Sequence, residues 1–189
     1  MESTPSRLRK KSWRRDSYLI STDASLIPMK RLIEVFNSDD FYWTNALPED
    51  AMKEMLDNSL CFGLYDCHES QDETSKTNEP NRTFLGIARG VTDYTTFLYL
   101  TDVWVDPSYQ GKGLGSWLVR CIQEVIESLP HLRRSLLMTG DWERSVPFYE
   151  KLMEMELFEC QRGKGLAVME RKGLGHPNFG AKGSGYKKD

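Results

Sequence analysis

Thr101-Asp102-Val103-Trp104-Val105-Asp106-Pro107-Ser108-Tyr109-Gln110-Gly111-Lys112-Gly113-Leu114-Gly115 is the stretch on which the reading of this chain turns. Its first half is β-branched and aromatic and stops at Asp106-Pro107, as a strand does on entering a turn. Glycines then occupy every second position, and from Leu114 onward apolar residues recur with helical spacing. The order is strand, glycine loop, helix. Glycines let successive backbone N–H groups point at one anion without a Cβ in the way, and a helix start adds partial positive charge. A phosphate-bearing ligand is the expectation.

Spacing decides which one. A dinucleotide fingerprint, G-x-G-x-x-G, would need glycine where Ser116 stands, and a P-loop would need Ser or Thr after Lys112, where Gly113 stands. What remains is Gln110-x-x-Gly113-x-Gly115, between a strand ending in Asp106-Pro107 and a long helix. This resembles the acetyl-CoA pyrophosphate loop of the GNAT superfamily of acyl-CoA-dependent N-acyltransferases, whose pattern is (Arg/Gln)-x-x-Gly-x-(Gly/Ala).

Working outward, Ser17–Ser21, Leu60–Tyr65, Phe84–Val91 and Thr95–Val105 read as strands. Two short helices, one ending near Asn37-Ser38 and one running from Leu47 to Asp57, separate the first two. The helix from Gly113 to about Leu129 carries Leu114, Trp117, Leu118, Cys121, Ile122, Val125, Ile126 and Leu129 on one face, so it packs on a sheet, and Pro130 stops it. Arg134–Thr139 is a further strand and Trp142 to about Met153 a further helix, which Pro147 should distort. Leu157–Cys160 and Leu166–Met169 read as the last two strands. The resulting β-α-α-β-β-β-α-β-α-β-β order is also that of GNAT enzymes. The resemblance therefore implies an α/β fold: a mixed central sheet of about six to seven strands, helices on both faces, and a splay between the fourth and fifth strands.

The domain is expected over residues 15–172. Before it lies a flexible basic arm, 1–14, whose run from Arg7 to Arg15 holds six Lys/Arg in nine residues. The segment 66–83 is acid-rich and nearly free of apolar residues, a hairpin connection swollen into a flexible loop. A Gly/Lys-rich tail, 173–189, closes the chain.

Bulk properties narrow the function classes. At 189 residues, with 39% hydrophobic content and a net charge of −3, the chain reads as one globular domain with no general drive toward nucleic acid. No apolar run approaches the ~20 residues of a membrane helix. Cys61, Cys67, Cys121 and Cys160 show no C-x-x-C spacing, and Cys67-His68 has no second ligand pair, so no metal is expected. A cytoplasmic protein is the expectation, with a nuclear address left open by the basic run.

Acyl transfer to an amine needs a cofactor cradle, an oxyanion partner, an acceptor for the amine proton and a proton for the thiolate. By resemblance, Gln110, Gly111, Lys112, Gly113, Leu114, Gly115 and Ser116 wrap the pyrophosphate; Gln110 can hydrogen-bond but brings no charge. Val103, Trp104 and Val105 offer backbone to pantetheine, and an N–H near Val103 polarises the thioester carbonyl. Ser145-Val146-Pro147-Phe148-Tyr149-Glu150-Lys151-Leu152 looks like the family's A-x-x-(L/F)-Y-E-K-L stretch. It implies cofactor contacts at Ser145 and Phe148 and makes Tyr149 the general acid. The family's glycine after this helix is replaced by Met153-Glu154.

Asp102 is an unusual residue in an apolar strand, costly to bury without a partner. It reads as proton acceptor or substrate ligand, or as a structural carboxylate that caps nearby backbone or pairs with an arginine. Phe41, Tyr42 and Trp43 lie where the resemblance implies the acceptor wall, where aromatics suit a cationic amine; a core or lid role is the alternative. The implied reaction is N-acetylation of a primary amine by acetyl-CoA, with acetyl-CoA and the amine as partners and a homodimer left open. A catalytically silent acyl-CoA-binding module is the alternative.

Overall fold

A computed structural model describes residues 2–67 and 82–158, together with Ala167 and Met169. Strands β1 (Ser12–Arg15), β2 (Tyr18–Ser21), β3 (Leu60–Asp66), β4 (Thr83–Thr92), β5 (Phe97–Val105) and β6 (Arg134–Leu137) form one sheet in sequence order. All neighbours are antiparallel except β5 and β6, which run parallel. Helices α1 (Thr4–Leu8), α4 (Leu114–Glu127) and α5 (Ser145–Met153) contribute Leu8, Leu118, Ile122, Val125 and Met153 to the core on one face. Helices α2 (Met29–Phe36) and α3 (Glu49–Asp57) cover the other face with Leu32, Phe36, Met52 and Leu56. Each fully buried Leu, Ile or Val side chain contributes about 1.5–3 kcal/mol, which is why the helical stripes decide which face each helix covers.

The interior of the loop expected at 66–83, the greater part of the strands expected at 157–160 and 166–169, and the tail from 173 lie outside the described residues. The N-terminal segment departs from expectation. Instead of a flexible arm, residues 4–8 form α1 and residues 12–15 form β1. Leu8 is fully buried, its carbonyl accepts from Thr22 Oγ1 at 2.6 Å, and Arg9 donates to Tyr94 Oη at 2.8 Å. The basic residues that suggested a solvated tail are tolerated because β1 is an edge strand. Trp13 turns inward against Phe62, its centroid 6.1 Å away.

Two features of β5 position the site. The first is a bulge. Gly90 pairs with Leu100 and Arg89 with Thr101, but Ile87 pairs with Trp104 and Gly86 with Val105, so Asp102 and Val103 together face Ala88. Asp102 adopts φ 54°, the left-handed conformation that aspartate tolerates better than most residues. The second is a splay. Strand β6 pairs with β5 only from Phe97 to Leu100, leaving residues 101–105 without that neighbour. This is the expected opening between the fourth and fifth strands of the sequence reading.

Helix α5 resolves two other expectations. It begins at Ser145, not Trp142, so Pro147 falls in the first turn, where its missing N–H removes no helical hydrogen bond. The expected distortion has no cause. At the other end Glu154 takes φ 52°, the role glycine has in the family stretch. Glu154→Gly should therefore stabilise the fold by about 1 kcal/mol, the cost of a left-handed conformation for a residue with a Cβ. A rise in the urea midpoint without a change in slope would show it, and an unchanged midpoint would refute it.

Candidate functional site

The end of β5 leads through Asp106 into a short 3-10 turn, Pro107–Tyr109, and then into the glycine loop. Asp106 Oδ1 accepts from Ser108 N at 3.0 Å and Ser108 Oγ at 2.6 Å, while its other oxygen lies 3.5 Å from Arg31 on α2. The turn is thus tied to the strand end and to the opposite helical layer. Gly111 has φ 79° and Gly113 has φ 69°, and Gly113 caps the start of α4. Its chain neighbours aside, no atom of the described residues lies within 4 Å of where a Cβ on Gly111 would sit, so the loop is open on that side among them.

The decisive property of the loop is what its amides do. Tyr109 N and Gln110 N close the turn onto Asp106 O and Pro107 O, and Trp117 N starts the helical ladder on Gly113 O. Between them, the N–H groups of residues 111–116 make no hydrogen bond to any described residue. Six neighbouring donors are unspent at the positive end of a fourteen-residue helix. Those residues fit a diphosphate.

Beside the loop, Asp106 N donates to Leu85 O on β4 at 2.8 Å. Backbone polarity alternates along an antiparallel strand, so the N–H groups of Val103 and Val105 are directed to the side where β6 has ended. The Val103 and Val105 side chains pack against the α4-side core, whereas Trp104 is buried in the α2-side core. A strip of main chain with no strand neighbour among the described residues therefore borders the loop, and a pantetheine chain could add to it as a strand would.

Asp102 is placed at the bulge with both its carboxylate oxygens hydrogen-bonded. Oδ2 accepts from Arg89 Nε at 2.7 Å; Oδ1 accepts from Thr101 Oγ1 at 3.2 Å and from Trp43 Nε1 at 3.4 Å. Arg89 also donates to Ser59 Oγ at 3.1 Å. Of the two readings open at sequence level, the geometry corresponds to the structural carboxylate paired with arginine. The partner Arg89 was not singled out from sequence, although a carboxylate inside an apolar strand asks for a cation on a neighbouring strand.

The aromatic triplet divides. Phe41 is 1% exposed, stacked on Phe36 and tilted against Trp43, each centroid 4.1 Å away, which leaves it no surface for an acceptor. Its expected place on the acceptor wall is corrected: it belongs to the core, because α2 and the following turn close over it. Trp43 is half-buried and reaches Asp102, and Tyr42 stands edge-on to it at 5.2 Å with its own ring exposed. Trp43 thus touches β5 at the bulge, and Tyr42 adjoins it through Trp43.

On α5, Phe148 and Tyr149 pack edge to face at 5.2 Å and lean on the α4-side core, while Ser145 sits at the helix start. Burial pushes the Tyr149 phenol up to about 12 from an ordinary 10. Burial likewise raises the thiols of Cys61 and Cys121 from 9 to about 12. A raised value in the fold means that the folded chain keeps protons which the unfolded chain releases above about pH 9. Stability should therefore hold to about pH 9 and fall as pH climbs from there to 12. Urea midpoints at pH 8, 10 and 11 test this, and a flat series would exclude it.

Lys112 and an unanticipated residue, Arg15, flank the loop. Lys112 Nζ donates to Tyr18 Oη at 3.4 Å and lies 4.5 Å from the Tyr109 ring centroid. Arg15 Nη2 donates to Lys112 O at 3.0 Å and its guanidinium lies 4.8 Å from the Trp117 ring centroid. Among the described residues no three His, Cys, Asp or Glu side chains gather as a metal site, and no helix is long and apolar enough to cross a membrane.

The sequence matches the Acetyltransferase (GNAT) family over residues 32–155. A Gibberella zeae protein described as a candidate acetyltransferase is 34% identical over 169 residues, covering 87% of this chain and 96% of its own. A thialysine N-epsilon-acetyltransferase from Bos taurus is 33% identical over 84 residues, 40% of this chain and 48% of that protein. Among solved structures, a GNAT-family protein from Xanthomonas campestris pv. campestris superposes with a TM-score of 0.53 at 29% identity. The match covers 75% of this chain and 93% of that one.

Proposed function

The chain belongs to the GNAT family of acetyltransferases, and from that premise we propose that it acetylates a primary amine by direct attack in a ternary complex with acetyl-CoA. Acetyl-CoA, the cosubstrate of this family, supplies an acyl carbon already activated as a thioester. The observation that carries the reading is the row of unspent amides at 111–116, set beside a strand that loses its neighbour after Leu100.

Each remaining task falls to a residue of this chain. The loop amides hold the diphosphate, and Val103 and Val105 offer main-chain pairing to the pantetheine arm. The Val103 N–H donates to the thioester carbonyl oxygen, a pre-aimed donor worth roughly 3–4 kcal/mol in acyl transfer. The amine nitrogen bonds to the acyl carbon and gives up a proton to water while the carbon–sulfur bond breaks. Tyr149, neutral at working pH, protonates the departing sulfur. Asp102 serves by position: through Arg89 it holds the bulge that aims Val103.

Trp43 and Tyr42 border the acceptor side and favour a cationic amine. The bovine relative's thialysine, a primary amine on a flexible chain, is a reasonable first member of a substrate panel. The test is release of CoA from acetyl-CoA across aliphatic, aromatic and peptide amines, with product mass measured. Mass gain of one acetyl group on an amine is the expected result. Micromolar acetyl-CoA binding with no product on any amine would support the silent binding module instead.

A further inference from the structure

We propose that Arg15, on the edge strand β1, is the cationic side chain that binds the diphosphate of CoA in place of the charge absent from Gln110. This rests on the acetyl-CoA reading above but concerns a residue outside the family-matched stretch, 32–155.

Three observations carry it. The first is position: Arg15 Nη2 bonds Lys112 O at 3.0 Å, and Nη1 is 4.0 Å from where a Cβ on Gly113 would sit. The guanidinium therefore stands at the loop whose amides are unspent. The second is charge: no carboxylate among the described residues pairs with Arg15, so its charge is open to an anionic ligand. A guanidinium carries five N–H donors in a planar fork, and a single hydrogen bond of Arg15 to described protein uses one of them. The third is support: the guanidinium carbon lies 4.8 Å from the Trp117 ring centroid, so the indole face holds the charged group at the loop.

The β1–β2 hairpin explains how the residue gets there. Arg15 pairs with Tyr18 across the turn, and Tyr18 Oη accepts from Lys112 Nζ. The hairpin tip thus grips Lys112 at both its carbonyl and its ammonium, setting two cations beside one anion cradle. Gln110, exposed and without charge, leaves room for this arrangement.

The test is calorimetric binding of CoA and of dephospho-CoA to the full chain and to Arg15→Gln and Arg15→Lys. Loss of a charge-assisted contact should weaken both ligands about tenfold in Arg15→Gln, with a smaller loss in Arg15→Lys, which keeps charge but not the fork. Adding Gln110→Arg to Arg15→Gln should recover most of the affinity, a rescue that a purely structural role would not give. The urea midpoint of the ligand-free protein separates folding from binding. An unchanged dissociation constant in both variants would overturn the assignment. So would a loss seen with CoA but not with dephospho-CoA, since Arg15 would then read the 3′-phosphate. A parent chain that binds neither ligand would sink the acetyl-CoA reading itself.

Discussion

Replacing Tyr149 by phenylalanine should lower kcat by about 10²- to 10³-fold while leaving the dissociation constant for acetyl-CoA within about twofold, the pattern of a lost general acid. The ring would keep its place against Phe148 and the α4-side core, because only the hydroxyl is removed. The pH profile adds a second check. Burial holds the phenol protonated up to about 12. The rate of the parent chain should therefore climb as the amine loses its proton near pH ~10 and show no alkaline fall below about pH 11. A variant with the parent's kcat would show that water, and not Tyr149, delivers the proton to sulfur.

The second large effect is on stability. Asp102→Ala should cost about 3–5 kcal/mol, because it leaves the largely buried Arg89 guanidinium with Ser59 Oγ as its remaining hydrogen-bond partner among the described residues and a left-handed backbone with no aspartate to favour it. Asp102→Gly should cost about 1 kcal/mol less, since glycine accepts φ 54° freely while losing the same ion pair. Urea unfolding of the two variants measures both differences. If alanine and glycine unfold together within about 0.5 kcal/mol of the parent, the ion pair does not sustain the bulge.

Much of the architecture was legible because its signals are local. The β-branched run into Asp106-Pro107, the glycines at every second position and the apolar stripe from Leu114 to Leu129 each specify one element without reference to the rest. The splay followed from the family resemblance rather than from any residue. Three features were hidden for physical reasons. Strand β1 is short, charged and at an edge, so Ser12–Arg15 carries no hydrophobic alternation beyond Trp13. The bulge is a relation between two strands: Asp102 is conspicuous alone, but its meaning appears only when Arg89 lies opposite. Arg15 reaches the loop across a sequence separation of 97 residues, which no local pattern records. Pro147 misled in the other direction, since its effect depends on a helix start that the apolar spacing placed three residues early.

The one-residue slip in β5 also divides that strand into two reading frames. Before it, even-numbered residues such as Leu98 and Leu100 face α4; after it, odd-numbered Val103 and Val105 do, and Trp104 serves the opposite layer. Excising Asp102 would set Val103 against Ala88 in regular register and leave both valines and the indole facing as they do. Flattening the slip without shortening the strand would instead send the indole toward α4 and both valines toward α2. A strand shortened by that residue would keep both packing layers and lose the Asp102–Arg89 pair, so the cost would fall on the site and not on the core.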